Sequence, residues 1–180
     1  MDYNYTSDGV RERLIKSGLS ELEEHGFSDF SLRRVASLAE VSCAAPYRHF
    51  KDKDELILEV IKFVREGWEL LCTSISEVYP KDSPELVAEL CAAGIRFWLA
   101  NGSFRSVIFG GMSGTDERRR AELLLFDKPI TDALSGLRTN CNPSTVRALF
   151  WGTLVLAATS LEPEAVIASM KEKIKEEADK

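Results

Sequence analysis

Ser31-Leu32-Arg33-Arg34-Val35-Ala36-Ser37-Leu38-Ala39-Glu40-Val41-Ser42-Cys43-Ala44-Ala45-Pro46-Tyr47-Arg48-His49-Phe50-Lys51-Asp52-Lys53-Asp54-Glu55-Leu56 reads as two short helices joined by a tight turn, with a longer helix opening behind them. Ser31 can accept a hydrogen bond from the first helical turn, so it caps a helix running to about Ala39, with Leu32, Val35, Ala36 and Ala39 on its inner face. The chain breaks at Glu40-Val41. Ser42 then caps a second helix, predicted over residues 43–50. Pro46 would be its fourth residue, where the missing N–H begins to cost a bond, though less so near a helix start. Asp52 caps the longer helix, from Lys53 towards Val78, with Leu56, Ile57, Val60, Ile61, Val64, Trp68, Leu71 and Ile75 as its apolar stripe. Two short helices at this spacing form a helix-turn-helix, a unit whose first helix crosses a nucleic-acid backbone while the second lies in the major groove.

Working outward, residues 1–7 are polar and without period, so they read as a flexible tail. Val10, Leu14, Ile15, Leu19 and Leu22 recur at helical spacing over residues 8–24. Gly26 can take the left-handed conformation that closes that helix. Phe27 and Phe30 fall where they can plug a small three-helix head. Downstream, Ser83-Pro84 is a cap with proline at the first helical position, opening a helix to about Ala100. A short helix over residues 103–109 and a glycine corner at Gly110, Gly111 and Gly114 follow. A charged helix runs from about Thr115 through Phe126, and Pro129 should kink or restart it. Asn142-Pro143 repeats the cap signal ahead of an apolar helix over residues 146–159. A last amphipathic helix starts near Pro163. No period-two stretch demands a strand, so the fold class is all-α, with about nine helices.

The composition is that of a globular chain, and its longest apolar runs, such as residues 154–158, are far too short to cross a bilayer. Cys43, Cys72, Cys91 and Cys141 form no CxxC or Cys/His cluster, and the chain opens on no secretory pattern. Reduced thiols in a cytoplasmic protein are expected. The formal net charge of −6 at first argues against nucleic acid. Its distribution matters more. From Arg33 to Lys53 there are five basic residues (Arg33, Arg34, Arg48, Lys51, Lys53) against two acidic ones (Glu40, Asp52), a local face that can meet phosphates.

On that face the second helix presents Ser42, Cys43, Ala44, Ala45, Tyr47, Arg48 and His49. Tyr47 can donate to a phosphate or pack on a base methyl, and Arg48 can reach guanine or phosphate. Lys53 offers a charge to the backbone. The stretch from Val10 to Ile61, above all residues 42–56 preceded by Leu32-Arg33-Arg34-Val35-Ala36, resembles the N-terminal domain of the TetR family of bacterial transcriptional repressors. The resemblance implies that Tyr47, His49 and Lys53 face operator phosphates and that Cys43, Ala44 and Ala45 approach bases. It also implies that Ser31 and Arg33 stand where the preceding helix meets the backbone, with Arg34 a further candidate. Two departures stand out. Where the family's turn normally holds glycine this chain has Glu40, and a left-handed non-glycine residue costs roughly 1 kcal/mol. The recognition helix is also poor in polar readers, which shifts weight to thymine methyls and DNA shape.

The resemblance further implies a domain division: residues 1–55 bind DNA, and 56–180 form a helical effector-binding and dimerisation domain. The partners expected are double-stranded DNA, a second copy of the chain and a small-molecule effector that shifts the long fourth helix, with no membrane. The sequence bears independently on dimerisation. The helix over residues 146–159 is apolar around most of its circumference and needs cover on two sides, from its own domain and from a partner. Leu149, Phe150, Leu154, Val155, Ile167 and Met170 are the candidate dimer contacts. Candidate pocket residues are Trp68, Leu71, Cys91, Phe97, Trp98, Phe104, Ile108, Met112 and Phe126, with Thr73, Arg96 or Asn101 as polar fixtures, although each can equally be core. His25 and His49 are the only histidines. No catalytic set, phosphate loop, metal-ligand cluster or cofactor motif appears, so neither an enzyme nor a metal sensor is expected. The competing function is a DNA-binding regulator controlled by a protein partner or lacking a small-molecule ligand. An internal apolar cavity would favour sensing, and an exposed apolar patch would favour a partner.

Overall fold

Small polar caps and prolines punctuate the chain, and helix starts follow them. The computed structural model describes residues 7–101, 117–137 and 141–178. Ser31 Oγ accepts from the Arg34 N–H, Asp52 Oδ1 from Glu55 (2.9 Å), Ser83 Oγ from Leu86 (3.2 Å) and Asn142 Oδ1 from Ser144 (2.9 Å). The resulting helices are α1 (Ser7–His25), α2 (Leu32–Leu38), α3 (Pro46–His49), α4 (Lys53–Val78), α5 (Pro84–Ala100), α6 (Glu117–Leu124), α7 (Lys128–Gly136), α8 (Pro143–Thr159) and α9 (Pro163–Ala178). All described elements are helical. Among the described residues no helix is long and apolar enough to cross a membrane. Of the tail expected at residues 1–7, Ser7 instead opens α1 and the rest lies outside the described residues, as do the short helix expected at 103–109 and the glycine corner.

Two elements differ from the sequence expectation. The recognition helix begins at Pro46, not Cys43; before it, the Ala45 N–H closes a turn on the Ser42 carbonyl (2.8 Å). This places Pro46 at the first helical position, where a missing N–H costs nothing. The charged helix also does not run unbroken to Phe126. It stops at Leu124, and residues Leu125–Asp127 tighten into a 3-10 turn. That turn presents the Phe126 carbonyl to the buried Trp68 Nε1–H at 3.0 Å, and Pro129 then sits in the first turn of α7.

The chain divides into two compact units. The head comprises the described residues up to Arg65 together with 117–123, and the body the remainder. The head's core is Leu14, Ile15, Leu22, Phe30, Val35, Ala36, Phe50, Leu56, Ile57, Val60 and Ile61. α1 lies close on α4: a Cβ at Gly18 would come within 3.0 Å of Val60 Cγ2. α6 joins the head through Arg119, whose Nη2 donates to Asp54 Oδ1 (2.7 Å) and whose guanidinium stands 5.6 Å over the Phe27 ring. Arg65 Nε donates to Glu122 Oε2 at 3.0 Å beside it.

In the body α5 is buried around most of its circumference and packs against α7, α8 and α9. A Cβ at Gly94 would meet Phe150 Cε2 at 3.0 Å and Trp68 Cη2 at 3.4 Å, so glycine lets the aromatic side chains close over α5. Trp68 tilts on Phe97, and Trp98 touches both Phe126 and Trp151. Burial pushes the Cys72 and Cys91 thiols up to about 12, which leaves both in the inert protonated form.

Candidate nucleic-acid interface and ligand clefts

The turn between α2 and α3 is closed by two backbone bonds, Glu40 N–H to the Ser37 carbonyl (3.1 Å) and Val41 N–H to the Ala36 carbonyl (3.0 Å). This is the pairing of a Schellman motif, which requires a left-handed residue. Glu40 takes that conformation at φ +55, the one described non-glycine residue to do so, and its side chain is exposed. The helix-turn-helix therefore keeps its geometry without the glycine. Gly26 closes α1 at φ +69, as the sequence led one to expect.

Beyond the turn, Ser42, Cys43, Ala44, Tyr47 and Arg48 are exposed and His49 is half-buried, while Ala45, Pro46 and Phe50 are buried. Tyr47 keeps 65% of its surface open, which is unusual for an aromatic side chain beside a packed core. Ala45, a candidate for base approach, lies on the inner side. Lys53 Nζ donates to the Phe27 carbonyl (3.1 Å) and stands 5.9 Å over the Phe30 ring, so it ties the α1–α2 corner to the start of α4. Ser31 caps α2 and is half-buried; Arg33, beyond it, is exposed.

Arg34 sits differently. Its Nε donates to Glu21 Oε1 at 2.8 Å, and its Nη2 bonds the Asp29 carbonyl and lies 3.2 Å from Asp29 Oδ2. Glu21 chiefly, then Asp29, raises the Arg34 pKa above its ordinary value, against a lowering by desolvation. Glu21 is not among the residues that the sequence singles out. The signal was present: Glu21 follows Leu14 by two helical turns and Gly18 by three residues, on α1's inner face.

The body has open clefts. One, of about 650 Å3, is lined by Glu69, Cys72, Thr73 and Ser76 of α4, Leu86 of α5, and Pro129, Ala133 and Gly136 of α7, with Lys81, Lys128 and Asp132 also on its wall. A second, of about 630 Å3, runs between α4 and α5 past Leu71, Ile75, Val78, Phe97, Arg96 and Asn101. Of the described candidate pocket residues, Leu71 and Phe97 line these clefts, together with the candidate polar fixtures Thr73, Arg96 and Asn101. Trp68, Cys91, Trp98 and Phe126 fill the core instead, Trp68 packing with Phe150 over the glycine at 94. Phe104, Ile108 and Met112 lie outside the described residues. Among the described residues no group of three or more metal-ligating side chains assembles.

The candidate dimer residues also separate. Phe150, Leu154, Ile167 and Met170 are buried in the chain's own core, because their faces of α8 and α9 turn onto α5 and each other. Val155 stays open, Leu149 is half-buried, and Leu156 and Leu161 join the exposed apolar set. Leu149, Thr153, Leu156, Ala165 and Val166 edge a groove of about 400 Å3 between α8 and α9.

Residues 14–60 match the family model of bacterial regulatory proteins, tetR family. No curated protein matches the chain in sequence. Among solved structures, a TetR transcription regulator from Haloarcula marismortui is 17% identical with a TM-score of 0.72, covering 97% of this chain and 98% of its own. A Clostridium perfringens protein provisionally assigned as a fatty acid metabolism regulator is 18% identical, with a TM-score of 0.73, covering 92% and 97%. FadR from Bacillus subtilis, solved in complex with stearoyl-CoA, is 14% identical, with a TM-score of 0.68, covering 91% and 96%. At these identities the likeness establishes the shared fold.

Proposed function

We propose that the chain, whose residues 14–60 match the family model of bacterial regulatory proteins, tetR family, is a sequence-specific repressor that grips a pseudo-palindromic operator as a homodimer. A small apolar or amphipathic effector bound in the body releases it. The observation that carries the reading is the outward display on α3: Tyr47 and Arg48 exposed above a buried Ala45, Pro46 and Phe50. An exposed tyrosine and arginine on a recognition helix suit phosphate and base-edge contacts. Ser31, Arg33, Ser42, Cys43, Ala44, His49 and Lys53 complete the surface.

Pairing through the open apolar face of α8 and α9 supplies the two-fold symmetry that a palindrome needs. The effector class rests on the body's clefts, whose volumes suit small-molecule sites. It rests too on the stearoyl-CoA bound by a protein of the same fold. The repressing sign rests on the family resemblance.

Selection of genomic DNA fragments by the purified chain tests the reading, with Tyr47→Phe and Lys53→Ala as controls. Enrichment of one short pseudo-palindrome, bound more weakly by both variants, is the expected result. No enrichment, or variants that bind like wild type, would contradict it. Titrating the bound complex with stearoyl-CoA and with the free fatty acid then tests the effector class by release.

A further inference from the structure

The α1–α2 corner encloses a carboxylate that the DNA-facing residues do not account for. Glu21, in the last turn of α1, has no exposed surface. A charge held out of water has to be matched by its neighbours, so those neighbours indicate its task. Glu21 Oε1 accepts from the Ser31 backbone N–H (2.9 Å) and from Arg34 Nε (2.8 Å), with Arg34 Nη2 at 2.6 Å. Glu21 Oε2 lies 3.3 Å from His25 Nδ1, and neither of those two atoms has a hydrogen-bond partner elsewhere. Asp29 Oδ2 lies 3.2 Å from the same Nη2. One arginine is thus drawn back from the start of α2 onto two carboxylates, while its neighbour Arg33 is exposed.

We propose that Glu21 withholds Arg34 from the DNA backbone and so determines how strongly the head discriminates its operator from other DNA. This rests on the DNA-binding reading above. Phosphate contacts carry no sequence information, so an arginine released at the start of α2 would tighten binding to every duplex alike. A buried anion on α1 keeps that charge at home without deleting the side chain that bridges α1 to α2. Glu21 is therefore a specificity-determining residue that touches no nucleotide.

The test is a titration of the full-length chain with the selected operator and with a scrambled duplex of equal length, over a salt series. Wild type, Arg34→Gln, Glu21→Leu, Glu21→Gln and the Glu21→Leu/Arg34→Gln double variant are compared. Arg34→Gln should leave the slope of log K against log salt unchanged. Glu21→Leu should steepen it by about 0.9 for each protomer, one extra phosphate apiece, and tighten the scrambled duplex severalfold at low salt. The double variant should return to the wild-type slope. Glu21→Gln keeps an acceptor for the Ser31 N–H, and should steepen the slope in the same sense if the leucine variant does not fold. A merely weakened head cannot steepen a salt slope. Unchanged slopes in the folded Glu21 variants, or a slope lowered by about 0.9 per protomer in Arg34→Gln, would overturn the proposal alone. A wild-type chain that binds neither duplex overturns the DNA-binding reading and the proposal with it.

Discussion

The head closes its α1–α2 corner around a buried carboxylate, whereas the body closes its centre around interlocked aromatic rings. In the head, Glu21, Arg34, Ser31 and Lys53 form directional bonds that fix where α2 begins and how the corner meets α4. In the body, Gly94, Trp68, Phe97, Trp98, Phe150 and Trp151 are fitted by volume, and Thr153 is the buried polar residue among the described ones. Their surfaces differ in the opposite sense. The head shows Tyr47, Arg48 and Arg33, while the body leaves Val155, Leu156 and Leu161 open. Directional bonds hold a surface in one register, as reading DNA requires; packing by volume tolerates the repacking that a ligand site or a partner helix asks for.

The largest expected effect tests the volume side of this contrast. Phe150→Ala removes the ring that closes over Gly94 and should cost about 3–5 kcal/mol, read as a lowered denaturation midpoint. Loss of only a few tenths would mean that the body's centre is loosely filled. Next, Leu156→Glu places a charge on the open face of α8. Sedimentation equilibrium should show a monomer where wild type is a dimer, with the helical signal retained. A wild-type monomer, or a dimer indifferent to the charge, would move self-association away from α8 and α9.

How far the sequence disclosed these regions follows the same contrast. Caps and prolines act locally, so Ser83-Pro84, Asn142-Pro143 and Asp52 announced their helices from neighbouring residues alone. The exposure of Tyr47 and Arg48 was likewise legible, because a helix-turn-helix fixes its outward positions by spacing, whereas the tie from Lys53 to the Phe27 carbonyl was not. Glu21 was legible only as an inner-face position of α1; that Arg34, thirteen residues away, folds back onto it was not. Phe150 and Leu154 looked the same as Val155 in an all-apolar helix; only the position of α5 decides which of them turn inward. Pro46 was misread because Ser42 resembled a cap, and a turn intervenes before the helix begins.

A smaller effect is expected at the DNA face. Lys53→Ala should weaken operator binding about tenfold and lower the salt slope by about one for each protomer. An unchanged slope would leave Lys53 as a purely internal tie to the Phe27 carbonyl. The smallest lies in the turn. Glu40→Gly relieves a left-handed non-glycine residue and should raise the stability of the chain by about 1 kcal/mol or less, the gain reduced by the freer unfolded chain. A loss of stability would mean that the Glu40 side chain contributes more than its backbone strain costs.

The measurement that bears most directly on the account is amide hydrogen exchange of the full chain with and without the selected DNA fragment. Added protection should appear in peptides covering α2, α3 and the first turn of α4, residues 31–56. Residues 143–178, the expected pairing helices, should exchange alike in both states if the chain is already dimeric. Protection confined to the body, or none anywhere at saturating DNA, would contradict the assignment of the α2–α3 surface to DNA.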